Sequence, residues 1–141
     1  MNEKIVIDSS VFISALGNPD IFTKESKSFF IQIAKQNIPV ILPTIVVAET
    51  LVKIYRYKRR IKKISESFFD MELVSLDLDF LKQLSSLIKE PKLKTSDLII
   101  AVCAKLASAV LISWDKRHLS KENYLCETLT PKEYLLQGVH Y

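Results

Sequence analysis

Glycine is almost missing from this chain of 141 residues: only Gly17 and Gly138 occur. Few turns can then rely on glycine's freedom at positive φ, so short connections and a compact, helix-rich body are expected. Cysteine is equally scarce. Cys103 and Cys126 lie far apart and outside any C-x-x-C pattern, which argues against a zinc cage or a disulfide and for reduced, half-buried packing residues. No apolar run reaches the roughly 18 residues that span a bilayer. The start, MNEKIVIDSS, sets charged residues before a short apolar stretch and has no small-residue cleavage site. It does not have the form of a secretory signal, and a cytoplasmic location without a membrane partner is expected. Histidine is limited to His118 and His140, so no Ser-His-Asp arrangement competes for the chemistry. His118, three residues after Asp115, reads as a surface or hydrogen-bonded residue.

What is present is globular in composition, with 48% hydrophobic and 26% charged residues. The length suits a single domain over residues 1–141. The net charge of +4 and the pI near 9.0 permit a polyanionic partner without requiring one. The charge is not evenly spread. From Lys53 to Lys63 the sequence KIYRYKRRIKK holds seven basic residues and two tyrosines with no acid among them. Such a run is commonly a solvated helix face or a helix end opposing the dipole. It could also contact phosphates through Lys53, Arg56, Arg59 and Arg60, with Tyr55 and Tyr57 offering faces on which unpaired bases stack.

Periodicity organises the rest. KIVID (4–8) reads as a buried strand, and Ser9 or Ser10 as the cap of a short helix, VFISAL, that stops at GNP. A helix over 23–36 follows, broken by Pro39. VIL then forms a second strand, and Pro43-Thr44 opens a helix to about residue 56. A further helix runs from the basic stretch to about Phe69. ELVSL (72–76) reads as a strand, and Asp77 as the cap of LDFLKQLSSLIKE. Thr95-Ser96 are placed to cap DLIIAVCAKLAS, VLIS (110–113) is another buried strand, and TPKE (130–133) carries a full start signal for a last helix. Strands separated by helices predict an α/β fold, a three-layer α/β/α domain around a mostly parallel sheet of four to five strands.

On that layout four acids share one kind of position. Asp8 ends the first strand and Asp115 follows VLIS, while Glu49 and Asp97 lie near the starts of helices. In a parallel sheet this is the edge where ligands bind. Capping could explain Asp8, Asp97 or Asp115 individually. It does not explain Glu49, whose neighbours Val46, Val47, Ala48 and Val52 are apolar and which therefore needs neutralising, pairing or a metal. Clustered carboxylates raise one another's pKa and are best stabilised by a divalent cation. Ligands that are all oxygen favour Mg²⁺ or Mn²⁺, ions suited to phosphodiester hydrolysis.

The pieces IVIDSSVFISAL, PTIVVAETL and KTSDLIIAVCAKLASAVLISWDKRHL, with a short C-terminal strand and helix, resemble the PIN domain family, and most closely its VapC-type toxin ribonucleases. The resemblance spans nearly the whole chain. It implies an acidic quartet of Asp8, Glu49, Asp97 and Asp115, with Asp8, Asp97 and Asp115 holding metal directly or through water and Glu49 orienting or deprotonating the attacking water. Ser10 and Ser113 match the family's small polar positions and would fix the carboxylates. The implied activity is Mg²⁺- or Mn²⁺-dependent endonucleolytic cleavage of RNA; a homodimer and, in the toxin branch, an antitoxin partner are implied as well. The chain departs from the pattern in two places. Ala107-Ser108-Ala109 stands where the family often has a glycine, and Lys-Arg-His follows Asp115. The alternatives are a processing nuclease without an antitoxin and a PIN-like module that binds RNA or a partner without cutting. A receiver-type phosphoacceptor usually has an acidic pair by its first strand, where this chain has Ser9-Ser10, and a D-x-D phosphatase would need an acid at Ser10.

Overall fold

Runs rich in β-branched residues make the sheet. In the computed structural model, which describes residues 3–55, 71–89, 93–119 and 125–138, IVI forms β1 (Ile5–Ile7), VILP forms β2 (Val40–Pro43) and VLI forms β4 (Val110–Ile112). ELV forms β3 (Glu72–Val74), and TL forms β5 (Thr128–Leu129). All pairings are parallel, in the order β3-β2-β1-β4-β5. β1 and β4, near the middle of the sheet, are buried along their whole length, as expected of a parallel sheet covered on both faces.

The helices are α1 (Ser9–Leu16), α2 (Thr23–Lys35), α3 (Thr44–Tyr55), α4 (Leu78–Leu87), α5 (Thr95–Leu106), α6 (Lys116–Leu119) and α7 (Pro131–Gly138). Together with the sheet they build the three-layer α/β/α arrangement. α5 packs on β1, β2 and β4 and is buried without a break from Asp97 to Ala104, as an apolar helix must be. α2 packs on α1 and α7, and Phe29 meets Tyr134 edge-on with ring centroids 5.5 Å apart. No helix among the described residues is long and apolar enough to cross a membrane.

Several local expectations hold. Asp77 Oδ1 accepts the Phe80 N–H at 2.8 Å. Thr130 and Glu133 close a reciprocal capping box, each bond 3.0 Å. Cys103 is buried and Cys126 is partly buried, both as thiols. Burial pushes the Cys103 thiol up to about 12, aided by the charge of Glu72.

Others are corrected. The cap position of α1 is Asp8 rather than Ser9 or Ser10, yet the Asp8 side chain caps nothing because two hydroxyls occupy it. The cap position of α5 is Lys94 rather than Thr95 or Ser96, and no side chain caps that helix either. α4 stops at Leu87, short of residue 90. Ile88 turns extended, with φ −66° and ψ 124°; in a continued helix Pro91 would have no N–H to give the carbonyl of Leu87. The strand at 72–76 ends at Val74. The helix expected between the basic stretch and Phe69 lies outside the described residues. A single turn, α6, was not anticipated at all.

The scarcity of glycine does not remove positive φ. Asn37 and Ser108 adopt φ of 53° and 51°. Ser108 N–H bonds Lys105 O at 3.2 Å and Ala109 N–H bonds Ala104 O at 2.9 Å, the two bonds of a Schellman helix end. Asn37 and Ile38 close α2 in the same way, on Ala34 O and Ile33 O. Ser108 thus fills, with its Cβ, the position where glycine is expected. Replacing Ser108 with Gly should stabilise the protein by about 0.5–1 kcal/mol, because a Cβ in the left-handed region costs more than glycine's extra freedom. Urea unfolding measures the difference, and a destabilised variant contradicts it.

Candidate metal and nuclease site

Sheet topology places the site. β1 has β2 on one side and β4 on the other, so the strand order reverses between β1 and β4 and opens a crevice beyond their C-terminal ends. The register sets Ile7 opposite Ile112. Asp8 and Ser113, the next residues along each strand, therefore stand side by side, with Asp8 N–H on Ile112 O at 2.9 Å. Both are buried.

The Asp8 carboxylate is clamped. Ser10 Oγ and Ser113 Oγ both donate to its Oδ2 at 2.8 Å. Those hydroxyl oxygens in turn accept backbone N–H groups, Ser10 from Trp114 at 3.1 Å and Ser113 from Asp115 at 2.9 Å. The two serines expected to steady the acids thus join Asp8 to the backbone that carries Asp115.

Asp97, in the first turn of α5, is buried. His118 Nε2 lies 3.3 Å from its Oδ1. The histidine is not on the surface: α6 carries it inward to 1% exposure. Burial pushes its pKa down, but the Asp97 hydrogen bond and the charges of Asp8, Asp97 and Asp115 outweigh that and raise it above 6.5. Only the three-residue spacing from Asp115 hinted at this place in the sequence.

Glu49 projects from α3. Its Oε1 is buried and has no hydrogen-bond partner among the described residues. Burial raises its pKa above 4.5, and so do the charges of Asp8 and Asp97; His118 and a hydrogen bond with Ser9 pull the other way. All four predicted acids therefore act electrostatically on one region, through Glu49 and His118. Among the described residues no three His, Cys, Asp or Glu side chains form a ready metal cage. The acids share a field rather than a closed shell. An unmatched buried carboxylate oxygen among other acids fits a hard divalent cation.

A second network was not visible in the sequence. The Trp114 ring stacks on Phe22 with centroids 4.3 Å apart, and its Nε1–H donates to Ser26 Oγ at 2.8 Å. Ser26 is also paired with Ser14 of α1. The residue just before Asp115 is thereby tied to the start of α2. Of the predicted phosphate contacts, Lys53 is exposed on the last turn of α3; Arg56, Arg59, Arg60 and Tyr57 lie outside the described residues.

This arrangement, acids at the β1/β4 crevice with hydroxyls clamping the first, meets an independent finding: residues 5–122 match the PIN domain. The chain belongs to the PIN domain family. No curated protein matches it. Solved structures share the fold. A toxin-antitoxin complex from Klebsiella pneumoniae aligns with TM-score 0.67 at 20% identity, over 90% of this chain and 97% of that one. FitAcB from Neisseria gonorrhoeae gives 0.64 at 18%, over 91% and 98%. VapBC2 from Rickettsia felis, bound to a DNA fragment from its promoter, gives 0.60 at 18%, over 89% and 98%.

The raised pKa values make a stability statement about the metal-free PIN domain. A group whose folded pKa lies above its unfolded one favours folding at low pH and loses that contribution as pH climbs through the folded value. For Glu49 the loss begins above 4.5 and for His118 above 6.5. The metal-free protein should therefore melt at lower temperature as pH rises through that range. Glu49→Gln should raise the neutral-pH Tm by a few degrees; scanning calorimetry without metal measures this, and a lowered Tm refutes it.

Proposed function

We propose that this PIN domain is a Mg²⁺- or Mn²⁺-dependent endoribonuclease and the toxin of a toxin–antitoxin pair. The observation that carries the nuclease reading is the crevice itself. The charges of Asp8 and Asp97 both act on a half-buried Glu49 whose Oε1 has no hydrogen-bond partner among the described residues, and a cation would relieve that repulsion. Family membership supports nuclease chemistry, and toxin–antitoxin complexes among the structures of like fold support the narrower reading.

Asp8, Asp97 and Asp115 would hold the ion, with Glu49 at its margin. The bound cation would polarise the phosphodiester and neutralise charge developing on its oxygens. Ser10 and Ser113 keep Asp8 in one orientation, so little reorganisation accompanies binding. Glu49, whose burial and acidic neighbours strengthen it as a base, accepts a proton from the attacking water. The water oxygen then bonds to phosphorus, the bond to the leaving oxygen breaks, and that oxygen takes a proton from solvent. His118 holds Asp97 in place through their 3.3 Å contact.

The same reading carries an RNA substrate, a homodimer, an antitoxin and a cytoplasmic setting. Leu76, Leu78 and Leu81, exposed near the sheet edge at β3, supply apolar surface of the kind protein partners cover.

Asp8→Asn or Asp97→Asn should abolish cleavage of structured RNA with Mg²⁺ or Mn²⁺, and Ser113→Ala should slow it about 10-fold. Gel assays on purified protein measure both. Undiminished cleavage by either Asn variant sinks the proposal.

A further inference from the structure

The carboxylate centre repels the phosphate it is proposed to cut, so binding energy for an RNA backbone has to come from cations beside it. The sequence directs attention to the contiguous run from Lys53 to Lys63. The fold presents a different row. α2 buries Ser26, Phe29 and Ile33 and turns Lys24, Lys27, Ser28, Ile31 and Lys35 to solvent. Residues 24, 28, 31 and 35 recur at helical spacing, so Lys24 and Lys35 lie on one face with Lys27 at its margin. Between them they span about 16 Å of helix. The acids on the same stretch of chain are Asp20 and Glu25. Asp20 is engaged at the start of the helix, accepting the Phe22 N–H at 2.8 Å, and Glu25 sits about 100° round from Lys24 and is only partly exposed.

This row has a fixed relation to the site. Phe22, two residues before Lys24, stacks on Trp114, and Trp114 precedes Asp115. The hydrogen bond from Trp114 to Ser26 holds the same end of α2 against the crevice. The lysines therefore lead away from the acids along a rigid helix. We infer that the exposed face of α2 is a binding track for the backbone of single-stranded RNA, with Lys24, Lys27 and Lys35 contacting successive phosphates on the way to the carboxylate centre. A single row of charges suits one strand, and its origin at an acid-lined crevice favours a nucleic acid over an acidic protein segment. Three lysines separated by two and seven residues do not register as a basic run, so sequence reading passes over them.

The inference takes its substrate class from the nuclease reading, and the test separates the two. Binding of a fluorescein-labelled oligouridylate is followed by anisotropy in EDTA, where no cutting occurs, between about 50 and 200 mM salt. Each phosphate contact on a single strand adds about 0.7 to the slope of log Kd against log salt. The Lys24→Ala/Lys27→Ala/Lys35→Ala variant should lose about 2 from that slope. A Lys4→Ala/Lys82→Ala/Lys105→Ala control, with the same change in charge, should keep it: Lys4 and Lys105 lie at the opposite edge of the sheet and Lys82 on α4. If the triple variant fails to fold, Lys27→Ala alone should lose about 0.7. An unchanged slope in the α2 variant overturns the inference, as does an equal loss in the control. Loss of polyglutamate binding with RNA binding intact overturns it in favour of an acidic protein partner. A reduced slope together with no RNA cleavage by the wild type would sink the nuclease reading alone; cleavage with an unchanged slope would sink only the track.

Discussion

Two serine hydroxyls bonded to one oxygen of Asp8 hold the functional end of this molecule together. Ser10 comes from the first turn of α1 and Ser113 from the end of β4, and both donate at 2.8 Å. Because each hydroxyl also accepts a backbone N–H from the segment carrying Asp115, the clamp fixes the carboxylate and the turn beyond β4 at once. Held by two donors on one oxygen, the carboxylate has little freedom to turn.

From that anchor the rest of the site is an arrangement of repulsion and its compensation. Asp97 is partnered by a buried histidine, and Glu49 Oε1 has no hydrogen-bond partner among the described residues. The aromatic stack of Trp114 on Phe22 extends the clamp outward, so that α2 is positioned by the same turn that presents Asp115.

Much of this was legible in the sequence because it is written in local patterns. The β-branched runs ending in Asp8 and in Ser113 mark the central strands. The apolar surroundings of Glu49 mark it as the acid that capping explains least, and its Oε1 has no hydrogen-bond partner among the described residues. The serine two places after Asp8 and the one two places before Asp115 stand where they can bond, since the parallel register aligns Ile7 with Ile112. What sequence did not show depends on long-range packing. Nothing local distinguishes the buried His118 from a surface histidine, and the Trp114–Ser26 bond joins residues 88 positions apart. Capping expectations failed at Asp8 because a tertiary contact claimed its side chain. The scarcity of glycine is no guide to the turns, since Asn37 and Ser108 adopt the left-handed backbone within well-bonded helix ends.

The central claim is that the acids converge on a divalent cation. Crystals of the protein soaked in Mn²⁺, with diffraction recorded for anomalous scattering, test it most directly. The account predicts an anomalous peak in the crevice beyond β1 and β4, within ligand distance of Asp8 and of Asp97 or Asp115. A peak only at the molecular surface, or none at a Mn²⁺ concentration that supports cleavage, would contradict it.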